Sequence, residues 1–241
     1  MTDDRPPEPN ADRSEDSVAT RFADADADRF TDWLRDRSEP DWTAATEHRF
    51  VRELADGTID DAAFARYLVQ DYLFVESLAG LVGYAVGQAP SMAEKARLAE
   101  FLGTVTDEEN DYFERSFEAL GVPPERYRTP EPTETTAAFR DLLAAAAREG
   151  GYAETLAVFV PVEWAYRTWA GAVDAPDDPF YLREWIELHD TPEFDGFVAW
   201  LRGQLDEVGP TLAPRRQERV AELFERAVRL EVAFFDSAYE E

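Results

Sequence analysis

From Gly57 to Tyr84 the chain reads GTIDDAAFARYLVQDYLFVESLAGLVGY, and apolar residues recur along it at the period of an α-helix. Phe64, Tyr67, Leu68, Asp71, Phe74, Val75, Leu78, Leu81 and Val82 step by one or three residues, so they share a face. Gly57, Thr58 and Asp60 ahead of the run supply turn and capping chemistry. A helix of this length has to cover its apolar stripe against other elements. Asp71 stands in the middle of that stripe. A carboxylate there is costly unless it is paired, hydrogen-bonded or protonated, so it marks a position that needs a reason.

The remaining segments supply more helices. A pattern beginning at Asp28 (Phe30, Trp33, Leu34) breaks near Pro40 and resumes through Trp42, Phe50, Val51 and Leu54. The spacing of Leu98, Leu102, Val105, Tyr112, Phe113 and Phe117 predicts one long helix from Ser91 to about Leu120, ended by Gly121-Val122-Pro123-Pro124. Further helices are expected at about 133–149, 152–172, 179–189 and 192–208, and from Pro214 to about Tyr239. No strand-like alternation, Gly-rich phosphate loop or repeat is present. Residues 1–25 are acidic, polar and Pro-containing, and are expected to form a disordered tail on a single all-α domain spanning 26–241.

Charge bounds the partners. The formal net charge is −28, and Lys95 is the only lysine. An acidic surface joined to a core with 13% aromatic residues fits a salt-rich cytoplasm, where a Debye length of about 3 Å at molar salt screens self-repulsion. Nucleic acid is disfavoured as a partner, because phosphate contacts need clustered Lys and Arg. With no cysteine, the chain has neither disulfides nor thiolate chemistry. No apolar run approaches the roughly 20 residues of a membrane span, and the acidic start is unlike a signal peptide, so a cytoplasmic protein is expected.

Two more helices repeat the anomaly of Asp71. Glu163 falls among Leu156, Phe159, Val160 and Trp164, and Glu231 among Val220, Phe224, Ala227, Phe234 and Ala238. Any one such acid could meet a buried arginine. Acids on separate helices, bordered by Phe74, Tyr166 and Phe234, point to a shared polar pocket with aromatic walls. Such a pocket suits a flat, nitrogen-rich ligand that stacks on the rings and donates to the carboxylates. A carboxyl of raised pKa could also exchange protons with water and a leaving amine.

The stretches His48-Arg49-Phe50-Val51, Gly57-Thr58-Ile59, Tyr67-Leu68-Val69-Gln70-Asp71-Tyr72, Pro161-Val162-Glu163-Trp164-Ala165-Tyr166 and Glu231-Val232-Ala233-Phe234-Phe235 resemble, in order and spacing, the TenA/thiaminase II family. The resemblance spans roughly Phe30 to Tyr239. It implies an all-α, haem-oxygenase-like (TenA-type) multi-helix bundle, no cofactor and no metal, and a homotetramer. It also implies an aminopyrimidine hydrolase in thiamine salvage that releases an amine or ammonia. Asp71 matches the acid that holds the aminopyrimidine, Phe74 and Tyr166 match pocket aromatics, and Glu231 matches a glutamate of proton transfer. His189 stands where the family has a tyrosine, and Val162 where many members have a nucleophilic cysteine. This places the chain with the cysteine-lacking subgroup, with Glu163 as the substitute and water as the attacking group. Asp71, Glu163 and Glu231 are thus the expected catalytic residues, with Asp71, Phe74, Tyr166, His189 and Phe234 binding substrate. Two rival readings remain at this stage. One is a pyrimidine or thiamine carrier without turnover. The other is a haem or di-iron protein on the same fold, short of nitrogen ligands because His48 and His189 are the only histidines.

Overall fold

The computed structural model describes residues 19–240, so residues 1–18 of the expected tail lie outside it. Among the described residues the secondary structure is helical, with no strand. The helices are α1 (Phe30–Arg37), α2 (Asp41–Thr46), α3 (Arg49–Ala55), α4 (Asp61–Gln88), α5 (Met92–Thr106), α6 (Glu108–Ala119), α7 (Pro124–Tyr127), α8 (Glu134–Glu149), α9 (Tyr152–Ala170), α10 (Phe180–Leu188), α11 (Pro192–Val208) and α12 (Pro214–Ser237). None is long and apolar enough to cross a membrane.

Local chemistry explains where several of them begin. Asp60 accepts hydrogen bonds from Ala62 N and Ala63 N and caps α4. Ser91, Thr133 and Thr191 cap α5, α8 and α11 in the same way. After α6 the chain turns on Gly121, whose φ of 67° favours glycine, and Val122 N donates back to Phe117 O at 2.9 Å.

Helix α9 is the centre of the bundle. Every residue from Ala153 to Tyr166 is buried, as expected of a helix that is apolar on all sides. It packs against α4, α8, α11 and α12, which surround it.

Several expected boundaries shift. The long helix read from Ser91 to Leu120 is two helices, α5 and α6. They part at Asp107, whose φ of −116° and ψ of −74° leave helical values. Gly103-Thr104-Val105-Thr106-Asp107 is a run of weak helix formers, and Thr106 Oγ turns back to Leu102 O at 2.9 Å, so the break follows from propensity. The stretch from Trp42 to Leu54 also divides, because His48 Nδ1 accepts from Phe50 N and starts α3 afresh. Residues 19–25, read as part of the tail, pack on α1. Phe22 meets Phe30 and Trp33, and Trp33 Nε1 donates to Ala19 O at 2.9 Å.

Candidate active site

The inward faces of α4, α5, α6 and α9, with the end of α10 and the start of α11, line a partly open cavity of about 80 Å³. Asp71 and Phe74 reach it from α4, Glu163 and Tyr166 from α9, and His189 from the C-cap of α10. Sequence reasoning named all of these. Glu231 and Phe234 are different, for neither lines the cavity. Phe234 was expected in its wall but stands one layer behind, against Tyr67, Phe74 and Phe139. Glu231 is buried on α12, and its charge is felt by Asp71's neighbours Tyr67 and Tyr166.

The acids of this region have no cation beside them. Among the described residues none of Asp71, Glu163 and Glu231 forms an ion pair, and no Lys or Arg lines the cavity. Asp71 is 3% exposed, and its Oδ2 is buried without a hydrogen-bond partner. An orphaned acceptor of this kind is rare in a folded interior. Burial pushes the Asp71 carboxyl well above the usual carboxylate range, the charge of Glu109 adds to the effect, and the Tyr67 hydroxyl opposes it. Burial likewise raises Glu163, helped by Glu109 and then Asp71, and raises Glu231, helped by Asp71 and Glu163. Each acid therefore favours its protonated form more than it would in water.

The other polar groups are held in place. The Tyr67 and Tyr166 hydroxyls share a hydrogen bond of 2.7 Å. His189 Nδ1 lies 2.8 Å from Trp185 O, and a carbonyl can only accept, so Nδ1 carries the proton and Nε2 is a bare acceptor. Burial lowers the His189 pKa to about 4, so the ring is neutral near pH 7. Its faces and edges meet Tyr166, Trp169, Trp185 and Phe194. His48, by contrast, is structural: it caps α3 and reaches Asp236 at 3.2 Å through Nε2.

Sequence reasoning missed Glu109 and Trp185. Trp185 lines the cavity with an indole N–H that has no partner. Glu109 lines it from the first turn of α6. A signal was available, because Glu109 falls four residues after Val105 and three before Tyr112, on the stripe already read as inward. The surrounding run Asp107-Glu108-Glu109 made it look like a solvated charge cluster. Among the described residues no group of His, Asp or Glu is placed to hold a metal ion.

Stacking surfaces, an unpartnered carboxylate and neutralisable acids together suit a flat ligand that brings hydrogen-bond donors and exchanges protons. Comparisons with known proteins point the same way. A model of the TENA/THI-4/PQQC family matches residues 35–241. The aminopyrimidine aminohydrolase of Halalkalibacterium halodurans is 28% identical over 212 residues, covering 86% of this chain and 94% of that protein. A TenA family transcription regulator from a Silicibacter species superposes with a TM-score of 0.80 at 23% identity, over 88% of this chain and 97% of that one. A domain with a heme oxygenase-like fold from Shewanella denitrificans aligns with a TM-score of 0.58 at 14% identity, over 87% of this chain and 92% of that one. The haem-oxygenase-like architecture is therefore the observed one.

Proposed function

The chain belongs to the TENA/THI-4/PQQC family, and on that premise we propose that it is an aminopyrimidine aminohydrolase that releases ammonia in salvage of the thiamine pyrimidine. The observation that carries this reading is the orphaned Oδ2 of Asp71 inside an aromatic cavity. An aminopyrimidine offers a ring nitrogen beside an exocyclic amino group. A carboxyl group pairs with that edge through two hydrogen bonds, whichever side holds the shared proton. Asp71 then fixes the ring between Phe74 and Tyr166, and His189 Nε2 accepts from a donor on the ligand.

Hydrolysis needs a nucleophile, and with no cysteine in the chain and Val162 beside the pocket acid, that nucleophile is water. Glu163 takes a proton from the water as its oxygen bonds to the carbon that carries the amine. Glu231, behind the lining, is itself held toward its protonated form by burial and by the charges of Asp71 and Glu163. A small-molecule substrate, a homotetramer and a salt-rich cytoplasm complete the reading, as the resemblance and the charge imply.

The test is ammonia release in high salt from 4-amino-5-aminomethyl-2-methylpyrimidine, its N-formyl derivative and thiamine, offered separately. Release from the first is expected, with Asp71→Asn raising KM on the order of 10- to 100-fold for loss of a charge-assisted pair. Tight calorimetric binding of all three without turnover would replace the hydrolase with a carrier.

A further inference from the structure

The cavity holds one acid to which the chemistry above gives no task. Glu109 heads the inward stripe of α6, followed by the buried residues Tyr112, Phe113, Ser116 and Phe117. The break at Asp107 makes α6 an element separate from α5, and its first turn brings Glu109 to the cavity beside Asp71 and Glu163. Asp71, Glu163 and Glu231 are almost wholly covered, whereas Glu109 is half-buried and keeps accessible surface. It is the member of the group from which a proton can pass to and from water.

We propose that Glu109 is a further catalytic residue of this pocket, the acid that gives the departing nitrogen its proton and recovers one from solvent. The inference rests on the hydrolase reading. In the step, the carbon–nitrogen bond breaks and its electron pair stays with nitrogen, which takes the Glu109 proton and leaves as ammonia. The water oxygen forms the new bond to carbon, and its proton goes to Glu163. Glu109 then gains a proton from solvent and Glu163 loses one, so amine and water have become alcohol and ammonia.

The neighbouring groups leave this task to Glu109. On α4, Asp71 is engaged with the ring. On α9, burial leaves Glu163 mostly protonated, so its minor ionised form is the one that receives the water's proton and it is not free to serve the leaving nitrogen, and the Tyr166 hydroxyl is paired with Tyr67. His189, at the end of α10, has committed its only ring proton to Trp185 O. Glu231 on α12 does not line the cavity. On α6 itself, the Tyr112 hydroxyl donates to Tyr181 O, and Arg115 is turned away to Asp111 and Glu184. Burial lifts the Glu109 carboxyl to about 7, where donor and acceptor forms are both populated at neutral pH.

The experiment compares wild type with Glu109→Gln and Glu109→Asp by ammonia release across pH, and by carbon-13 NMR titration of labelled glutamate carboxyls in the ligand-free protein. The expected result for Glu109→Gln is a kcat lowered on the order of 100-fold with KM little changed. The rate limb near pH 7 is lost, together with one carboxyl resonance that titrates there, and Glu109→Asp restores part of the rate. An active wild type matched by Glu109→Gln in kcat and pH profile overturns the role of Glu109 alone. So does an unchanged set of carboxyl midpoints. A wild type that releases no ammonia overturns the hydrolase reading, and the role of Glu109 with it.

Discussion

Glu154 and Glu163 lie on the same helix, about two and a half turns apart, and are buried to 3% and 6% exposure. Glu154 receives Arg216 Nε and Nη2 at 2.7 Å each, and the Gly151 N–H at 2.9 Å. Those Arg216 hydrogen bonds, working against burial, hold its carboxyl down at about 2. Glu163 has no such partner, and burial drives it the other way. Depth alone thus does not separate an acid that braces the fold from one that is available for chemistry. The presence of a committed cation does. Glu154 is neutralised by its own chain, while Glu163 has no cation beside it among the described residues.

This contrast can be broken most decisively at Glu163. Glu163→Gln is expected to lower kcat by about 10²- to 10⁴-fold while leaving the melting temperature unchanged or higher, since a buried ionisable group without a partner is removed. Ammonia release and a thermal melt on the same sample check it. A protein that unfolds easily but still turns over would make Glu163 another Glu154.

A smaller effect is expected at Arg216. Arg216→Ala leaves the Glu154 carboxylate covered and unpaired, and about 1–3 kcal/mol of stability is lost. The figure sits below that of a fully buried pair because the Arg216 side chain is 47% exposed. Chemical denaturation measures the loss, and kcat is expected to stay at the wild-type value.

The smallest effect sharpens the contrast through pH. Glu154 has a folded pKa below its unfolded one, so its contribution is complete above the unfolded value of about 4.3 and is lost as pH falls toward 2. The cavity acids are raised on folding, so their contribution is present below the unfolded value and is lost as pH rises through their folded values, about 7 for Glu109. Stability is therefore expected to peak near pH 5 rather than at neutrality, with each limb moving the melting temperature by about 2–4 °C. Melts across pH at fixed salt read this. Arg216→Ala should flatten the acid limb and Glu109→Gln the neutral one.

Much of this was legible in the residues, because a helix writes its buried face at a fixed period. That period placed α4, α8, α9, α11 and α12 and singled out Asp71, Glu163 and Glu231 as acids facing inward. Period gives direction but not depth, which is why Phe234 was read as cavity wall when it stands behind Phe74. Nor does it name partners across the fold. The arginine that satisfies Glu154 comes from α12, and nothing in the local pattern of α9 announces it. The break at Asp107 was legible as a run of weak helix formers, but the continuous apolar stripe outweighed it. Glu109 was hidden by the two acids before it.

The cavity is lined by acids and a neutral imidazole, with no Lys or Arg among its lining residues. A wall of that sign sorts metabolites before shape is consulted. A phosphomonoester carries nearly two negative charges at neutral pH and would have to leave its hydration shell with no cation to meet it. On the hydrolase reading, an unphosphorylated pyrimidine is therefore expected to bind in preference to its phosphate ester.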